Sequence, residues 1–384
     1  MVEIDTSELR GKWFKCIDGC GLCCLCQPEL LPSELKRFRD NPGLAGVVVR
    51  SNSDSARKSI AMLKNGGPCI LLKGRKCTIY RERPHFCRQF PVHTHLMWRI
   101  QLTPDYSCRG IWREDWGDGK DGFVDLEKYG LDELHRYSVE KLEAELKDAN
   151  KVFEEFRQNS IGNGVWREAD ELRSKAASLI SDGFFSDMDG LGSVLLAVQR
   201  AREDELDVFD ILRANGKGQN RRESLNAMRE LSEELLTVSR IEDNPIYVDG
   251  SLNWNIYNMA NGKIWKRRLL DTGGLSNISQ VELDISDISI SAEGEGALAS
   301  YSIKSNSRDA FMGFVYYLVD DADYDIDLLS TYLENMAMTQ LDLVMRSALI
   351  QPERRSSIGR EQVAEGVVYI DMDMHDAPTI GSVI

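Results

Sequence analysis

Nine cysteines, all within the first 108 residues, are the side chains of this 384-residue chain best suited to chemistry. The first five have the spacing C-x3-C-x2-C-C-x-C, and four more follow at wider intervals. They are Cys16, Cys20, Cys23, Cys24 and Cys26, then Cys69, Cys77, Cys87 and Cys108. Thiolates are preferred ligands of zinc and of iron–sulfur clusters, and a tight turn aims closely spaced sulfurs at one point. Gly19 and Gly21 give the backbone the freedom for such a turn.

Two other uses of cysteine are less consistent with this pattern. Isolated core thiols are common, but five cysteines within 11 residues exceed what a core requires. Disulfides need an oxidising compartment, and the N-terminal sequence has no apolar segment after a basic one, as a secretory signal would have. The spacing therefore favours a metal or iron–sulfur module, and we expect the protein to be cytoplasmic.

The string FKCIDGCGLCC, followed by PCILLKGRKCTIYRERPHFCRQFP and SCRG, resembles the YkgJ-like cysteine-cluster family, a zinc- or iron-chelating domain written CxxCxxCC. The resemblance covers about residues 13–112. It implies a metal module of eight cysteines, Cys16, Cys20, Cys23, Cys24, Cys69, Cys77, Cys87 and Cys108. Cys26 departs from the family pattern and is expected to be a spare thiol. Arg109 and Gly110 follow the last cysteine, where the family usually has Pro-Gly.

Eight thiolates exceed one tetrahedral site, so the module contains either two four-sulfur sites or one site with spare cysteines. Cys23 and Cys24 are adjacent and would project in different directions from an extended backbone, which suits two centres, or one ligand and one supporting thiol. We favour an iron–sulfur cluster, such as a 4Fe-4S cluster, over zinc. The resemblance extends distantly to flagellin lysine methylases, which are associated with a cluster.

Three functions are compatible with such a module. In the first, the metal is structural or redox-active and the chain is a binding or electron-handling factor. In the second, the chain is an enzyme similar to the lysine methylases and uses S-adenosylmethionine, although no motif for that cofactor is present. In the third, C-x3-C-x2-C is the cluster motif of a radical S-adenosylmethionine enzyme, although repeated strand–helix units are not predicted after it. No catalytic residue is assigned.

Basic residues and histidines accompany the cysteines. Seven basic side chains could offset thiolate charge or donate hydrogen bonds to sulfur: Arg75, Lys76, Arg81, Arg83, Arg88, Arg99 and Arg109. His85, His93 and His95 could ligate a metal, but a supporting hydrogen bond or a surface position is favoured because the cysteines suffice.

Charge is divided unevenly along the chain. Residues 1–115 carry a net charge of +7 and the remainder −22, within a total of −15. The acidic remainder would repel a phosphate backbone, so nucleic acid is not an expected partner. We expect a protein partner or a protein substrate instead. No apolar run approaches the roughly 20 residues of a membrane span.

The sequence pattern around and after the cysteines predicts an α+β fold with three regions. Residues 1–115 form an irregular, metal-stapled module interrupted by seven prolines. Residues 116–240 are mainly helical, with four or five helices and breaks at 162–164, 187–190 and 215–218. Residues 241–384 form a small α+β unit. Its predicted elements are a hairpin over 246–259 and 263–270, a strand over 281–285, helices over 310–319 and 328–349, and a strand over 367–374.

Three weaker patterns are interpreted as structural. Asp371, Asp373, His375 and Asp376 fit a charged strand edge better than a metal site. Asp321, Asp323, Asp325 and Asp327 lack the glycine and glutamate of a calcium loop, which favours a solvated loop or a helix start. The glycines at 162–164 and 190–192 are too sparse for a cofactor fingerprint.

Overall fold

The computed structural model divides into two compact units. It describes residues 4–24, 26–51, 56–63, 68–96, 99–111, 122–137, 139–162, 164–238, 246–248, 254–260, 263–269, 275–281, 285–306, 327–350, 357–368 and 370. One unit comprises Met1–Phe153, Ser239–Glu282 and Val367–Ile384, and the other Glu154–Val238 and Leu283–Gly366. Small sheets together with many helices confirm the predicted α+β class. The division at residues 115 and 240 stays a prediction.

The cysteine-bearing region is built from short elements, as its prolines predict. Its helices are α1 Pro32–Asp40 and α2 His85–Gln89. Its strands are β1 Ile4–Asp5, β2 Trp13–Phe14, β3 Val48–Arg50, β4 Lys58–Ile60, β5 Leu72–Lys73, β6 Lys76–Cys77, β7 Val92–Leu96, β8 Ile100–Pro104 and β9 Val124–Asp125. β8 pairs parallel with β1 and antiparallel with β7, while β2/β9, β3/β4 and β5/β6 form antiparallel pairs.

Two small apolar cores hold this region together. The first core contains Leu9, Phe14, Val92, Ile100, Leu102, Leu126 and Leu134, with Ile111 packed against it. The second core contains Leu30, Phe38, Leu44, Ile60, Cys69 and Leu71, with Cys24 and Ile79 packed against it. Cysteines and their chain neighbours are therefore part of the packing that shapes the module.

Six helices follow β9 among the described residues. They are α3 Leu126–Tyr137, α4 Val139–Gly162, α5 Val165–Ser181, α6 Met188–Asp204, α7 Val208–Asn215 and α8 Arg221–Val238. The breaks predicted at 162–164 and 215–218 are confirmed. The count of four or five was too low because α6 ends at Glu205, which has a left-handed φ of 55°, and Asp207 then caps α7. Asp207 accepts hydrogen bonds from the N–H groups of Phe209 and Asp210 at 2.8 and 3.2 Å.

The break predicted at 187–190 was placed too late. Asp187 caps α6, accepting from Gly190 N at 2.6 Å, so Gly190 and Gly192 lie inside the helix. A Cβ on Gly190 would lie 2.5 Å from the carbonyl oxygen of Phe184. These glycines therefore allow close packing rather than ending a helix.

The remaining described elements belong to the C-terminal third. An antiparallel sheet is formed by β10 Ile246–Val248, β11 Trp254–Ala260, β12 Lys263–Leu269 and β13 Leu275–Val281. The helices are α9 Ala292–Ser305 and α10 Leu328–Ile350. The β11/β12 pair and α10 confirm the predicted hairpin and the helix predicted over 328–349. The helix predicted over 310–319 lies outside the described residues.

Two predicted strands in this region differ from the structure at their described residues, while residues 282–284, 369 and 371–374 lie outside the described part of the chain. The strand predicted over 281–285 is shifted, since β13 ends at Val281 and Ile285–Asp287 is a 3₁₀ turn. Residues 360–368 are helical, so the strand predicted over 367–374 does not start as expected. Val367 and Val368 are both buried, a pattern that a helix provides and a half-exposed strand does not. No helix of the described chain is long and apolar enough to cross a bilayer.

Candidate metal centre

The first four cysteines lie on a compact loop, Cys16–Cys24, that follows β2. Gly19 and Gly21 have φ values of 74° and 66°, the left-handed conformation that the tight turn was predicted to need. The loop ends in a 3₁₀ turn over Leu22–Cys24. Cys20 N donates to the Ile17 carbonyl at 3.1 Å, so local backbone bonds give the loop its shape.

Cys69 and Cys87 reach this loop from two other segments. The backbone N–H of Cys69 donates to the Cys24 carbonyl at 2.7 Å. Cys87 lies on α2, whose first N–H, from His85, donates to Glu34 Oε1 at 2.8 Å. Glu34 Oε2 also accepts from Leu31 N at 3.1 Å. A buried carboxylate on α1 thus fixes the short helix that carries Cys87.

Cys77 is positioned by the two-residue hairpin that joins β5 to β6. Gly74 and Arg75 at the turn have positive φ values of 52° and 58°. Positive φ at both central residues is the requirement of the tight hairpin turn that matches strand twist. The turn places Cys77 opposite Leu72 in the strand register.

Cys108 follows a turn organised by Asp105, which is 1% exposed. Asp105 Oδ1 accepts from the Ser107 backbone N–H at 2.9 Å and from the Ser107 hydroxyl at 2.5 Å. Asp105 Oδ2 lies 2.8 Å from His93 Nε2. Burial alone would raise the pKa of Asp105, but the hydrogen bonds from His93 and Ser107 outweigh it and hold that pKa below its usual value. The turn therefore rests on an ionised carboxylate.

Gly110 brings the Cys108 turn against the chain that precedes Cys16. A Cβ on Gly110 would lie 2.4 Å from the carbonyl oxygen of Lys15, closer than real side chains allow. The same position lies 3.4 Å from Cys108 Sγ. The absence of a side chain at residue 110 thus lets the Cys108 turn pack against the residue that precedes Cys16.

The sulfur of Cys24 lies between two other sulfurs. A side-chain hydrogen bond with the Cys24 thiol lowers the pKa of Cys23, and Arg83 contributes to the same shift. The hydrogen bond between Cys24 and Cys77 lowers the pKa of Cys77 to about 6, and the Ile79 N–H and Arg83 contribute to the same shift. The pKa of Cys24 itself is raised because its proton is held by these two acceptors. The arrangement therefore favours ionisation of Cys23 and Cys77 over ionisation of Cys24.

Burial raises the pKa of the other five thiols, and the negative charge of Cys23 raises each of them further. They are Cys16, Cys20, Cys69, Cys87 and Cys108, with Cys69 at about 11. Cys23 is therefore the common neighbour of sulfurs on its own loop and on three other segments, those of Cys69, Cys87 and Cys108. Such a group is costly to ionise alone, and a bound metal cation removes that cost.

The sulfurs are grouped but not yet converged on an ion. Within the described part of the chain, no set of three or more His, Cys, Asp or Glu side chains forms a ready-made ion site. Binding a metal through thiolates would require the thiol protons to leave. The donor set itself, thiolates with few alternatives, fits zinc or iron.

Arg83 is the basic residue that best fits the predicted role of offsetting thiolate charge. Its charge lowers the pKa of Cys16, Cys23, Cys77 and Cys87. Its Nε donates to the Tyr80 carbonyl at 2.9 Å, and its guanidinium lies 3.9 Å from the Tyr80 ring centroid. Tyr80 in turn makes a side-chain hydrogen bond with Cys16.

The other basic residues divide into two kinds. Arg109, 9% exposed, lowers the pKa of Cys20 and fits the predicted role. Three of the seven pair with carboxylates instead. These pairs are Lys76 with Asp18 at 3.0 Å, Arg88 with Glu133 at 3.3 Å and Arg99 with Asp5 at 2.6 Å. The prediction that all seven offset thiolate charge was therefore too broad.

Two of the three histidines lie against side-chain partners, and the third is buried, which agrees with the supporting roles that the sequence favours. Burial first, and the charge of Arg88 second, lower the pKa of His85 to about 4, so its ring is neutral. His93 faces Asp105, and His95 Nε2 lies 2.9 Å from the Thr103 hydroxyl. Cys26 is half-buried, and its expected role as a spare thiol stays a prediction.

Two supporting carboxylates were missed in the sequence. Glu34 and Asp105 belong to no spaced motif, and their roles depend on contacts with residues far along the chain. For Asp105 a local signal existed, because Asp followed by Ser two residues later is typical of a side-chain-closed turn.

The weaker aspartate-rich patterns contribute to no metal site in the described part of the chain. Asp327 caps α10, accepting from Leu329 N at 3.1 Å, which agrees with a helix start. Asp321, Asp323 and Asp325 lie outside the described residues, as do the charged residues of the C-terminus, Asp371, Asp373, His375 and Asp376. The described region after the cysteine loop has small antiparallel pairs rather than repeated strand–helix units, so nothing here favours a radical S-adenosylmethionine enzyme.

A comparison with protein families identifies the cysteine-bearing segment. Residues 15–109 match the CxxCxxCC family, described as "Putative zinc- or iron-chelating domain". The matched CxxCxxCC domain contains all eight predicted ligands and confirms the resemblance seen in the sequence. No curated protein and no solved structure matches the chain. The distant relation to flagellin lysine methylases stays a prediction.

Proposed function

We propose that the CxxCxxCC domain binds metal through its eight cysteines and that the metal stabilises the fold of the module. The observation that carries the proposal is the gathering around Cys23 of sulfurs from its own loop and from three other chain segments. The surrounding elements are short and the two apolar cores are small. A structure of this kind needs a staple, and metal–thiolate bonds provide one.

The metal in this proposal is an iron–sulfur cluster or zinc, of which the grouped C-x3-C-x2-C ligands favour the cluster. Both take four thiolates per centre. A bound cluster would supply one-electron chemistry, whereas zinc would supply a fixed scaffold. Arg83 and Arg109 would then offset part of the negative charge of the thiolates. The chain would act as a binding or electron-handling factor.

Metal analysis of the full chain, purified without oxygen, tests this proposal. We expect iron with acid-labile sulfide and broad visible absorption that bleaches on reduction. Zinc in a colourless sample would keep the metal-binding function and remove the redox one. A properly folded chain that contains no metal, and takes up neither ferrous iron with sulfide nor zinc, would overturn the proposal.

A further inference from the structure

Helix α3 lies beyond the segment that matches the family. The match ends at residue 109, and α3 begins at Leu126. The strand directly before it, β9, pairs antiparallel with β2, the strand that leads into the cysteine loop. Leu126 and Leu134 of α3 are buried in the first apolar core. Helix α3 therefore packs as part of the cysteine-bearing region.

Gly130 shows how closely α3 approaches this core. A Cβ at residue 130 would lie 3.1 Å from Leu9 Cδ1 and 3.2 Å from Val92 Cγ1. Contacts this short leave the helix little room to shift. Tyr129, beside Gly130, and Glu133, one turn later, therefore have well-defined positions.

Tyr129 contacts the backbone directly after Cys87. Its hydroxyl donates to the carbonyl of Arg88, and the carbonyl of Phe90 lies 3.4 Å from the same hydroxyl. Its ring packs edge-on against Phe14, with the ring centroids 5.1 Å apart. One hydroxyl thus connects the C-terminal half of α2 to α3.

Glu133 contacts the side chain of the same arginine. Arg88 Nε donates to Glu133 Oε2 at 3.3 Å, and Glu133 is only 4% exposed. Arg88 Nη1 also lies 3.8 Å from Glu34 Oε1 on α1. A buried carboxylate that loses its cationic partner is costly, so this bridge favours one placement of α2 between α1 and α3.

Helix α2 depends on such contacts because it has only five residues, His85–Gln89. A helix of that length is not stable by itself. Glu34 on α1 accepts its first N–H group, and α3 holds its C-terminal half through Arg88. Cys87 lies between these two attachments.

We infer that α3 is part of the metal-binding module and that Tyr129 and Glu133 are positioning residues for Cys87. They act through Arg88, whose backbone carbonyl and guanidinium they hold. This inference rests on the proposed function and extends the module beyond the residues that match the family.

Cysteine reactivity in the metal-stripped full chain tests the positioning. Glu133→Gln removes the charge from the bridge, and Tyr129→Phe removes the hydroxyl but keeps the aromatic ring. In each variant Cys87 should be alkylated about tenfold faster, which corresponds to about 1.4 kcal/mol of easier opening, while Cys20 and Cys69 should keep their rates. Mass spectrometry of the alkylated peptides measures all three. An unchanged rate at Cys87, or an equal rise at all three cysteines through general unfolding, would overturn the inference.

Glu127→Gln is the matched control. Glu127 lies on the same helix, but it accepts from the Thr6 hydroxyl at 2.6 Å and pairs with Arg10 at 3.7 Å. The same loss of charge at residue 127 should leave the Cys87 rate unchanged. A rise in this variant equal to that in Glu133→Gln would mean that any charge lost from α3 loosens the region, which would overturn a specific role for Glu133.

A double variant separates an effect through Arg88 from ordinary packing of α3. In an Arg88→Met background, Glu133→Gln should change the Cys87 rate by less than about twofold, because the group through which Glu133 acts is already gone. A full tenfold effect in that background, about what the single variant is expected to show, would overturn the route through Arg88.

Zinc affinity of the full chain, measured by competition with a chelator, tests the consequence for binding. Glu133→Gln and Tyr129→Phe should each weaken zinc binding about tenfold, as is usual when a residue that orients a ligand is changed, and Glu127→Gln should not. Full zinc affinity in variants whose Cys87 reacts faster would overturn the link between α2 and the metal. An unchanged chain that binds neither zinc nor iron would overturn the proposed function instead, and the alkylation rates would still decide whether α3 positions Cys87.

Discussion

At the scale of single residues, Arg83 should control how readily the thiols bind metal. Its positive charge lowers the pKa of four cysteines, so removing it should raise those pKa values. The thiols would then hold more tightly the protons that a metal must displace. In Arg83→Met, the pH at which half the metal is lost should move upward by about one unit, or about 1.4 kcal/mol per thiolate. A zinc or iron retention curve against pH measures this shift.

Arg81 provides the matched control for that change. It lies two residues earlier, in the 3₁₀ turn Tyr80–Glu82 that Arg83 follows, and is exposed. Arg81→Met removes the same formal charge and should leave the retention curve where it was. Equal shifts in the two variants would show that net charge, rather than the position of Arg83, matters.

Cys77 should react at a much lower pH than Cys69 in the metal-stripped chain. The hydrogen bond from Cys24 lowers its pKa to about 6, whereas burial raises that of Cys69 to about 11. The alkylation rate of Cys77 should therefore be level above about pH 7 and fall about tenfold per unit below pH 6, since the thiolate is the nucleophile. Mass spectrometry of peptides alkylated at several pH values measures both residues. A Cys77 rate that still climbs steeply beyond about pH 8 would contradict this assignment.

The ligand candidates could be predicted from the sequence, and the choice among the basic residues could not. Candidate cysteine ligands can be recognised from their spacing, because metal ligands recur at the intervals that tight turns allow. Arg83 and Lys76 have the same charge and nearly the same chain position. Only the folded chain shows that Arg83 stacks on Tyr80 beside the thiols while Lys76 pairs with Asp18.

At the scale of elements, the contact between β2 and the turn after Cys108 should depend on Gly110. An added Cβ would lie 2.4 Å from the Lys15 carbonyl, so Gly110→Ala must push the two segments apart. We expect a loss of about 1–3 kcal/mol in unfolding free energy, the usual cost of overpacking. Metal content should fall as well, because Cys108 lies on the displaced turn. Urea unfolding and metal analysis measure the two effects.

Gly46 offers the control for that substitution. Nothing lies within 4 Å of a Cβ at Gly46, so Gly46→Ala should leave stability and metal content nearly unchanged. If Gly110→Ala behaves like Gly46→Ala, the close approach does not position Cys108.

Elements with strong periodicity were predicted well, and those that depend on a single residue were not. The apolar spacing of α10 gave its position almost to the residue. The break between α6 and α7 was missed because Glu205 adopts a positive φ, which is not expected for a glutamate. The strand predicted over 367–374 failed because consecutive buried valines occur in buried helices as well as in strands.

At the scale of the whole chain, the two units are stabilised in different ways. In the second unit, α6 is buried along much of its length, and the buried Gln340 on α10 donates to the carbonyls of Phe185 and Leu298, both at 2.8 Å. The CxxCxxCC domain has short strands, small cores and many sulfurs. Apolar burial therefore stabilises the helical unit, whereas the proposed metal would supply much of the stability of the cysteine module.

This difference predicts that a chelator should loosen one part of the chain only. In the stripped full chain, amide hydrogen exchange of β7 and β8 should rise by roughly 100-fold, about 2.8 kcal/mol of opening free energy. Exchange in α6 and α10 should stay the same, because their packing contains no cysteine. Mass spectrometry of peptides from loaded and stripped protein measures both regions at once. Unchanged exchange in β7 and β8 would mean that the metal is not structural, and a rise in both units would mean that they unfold together.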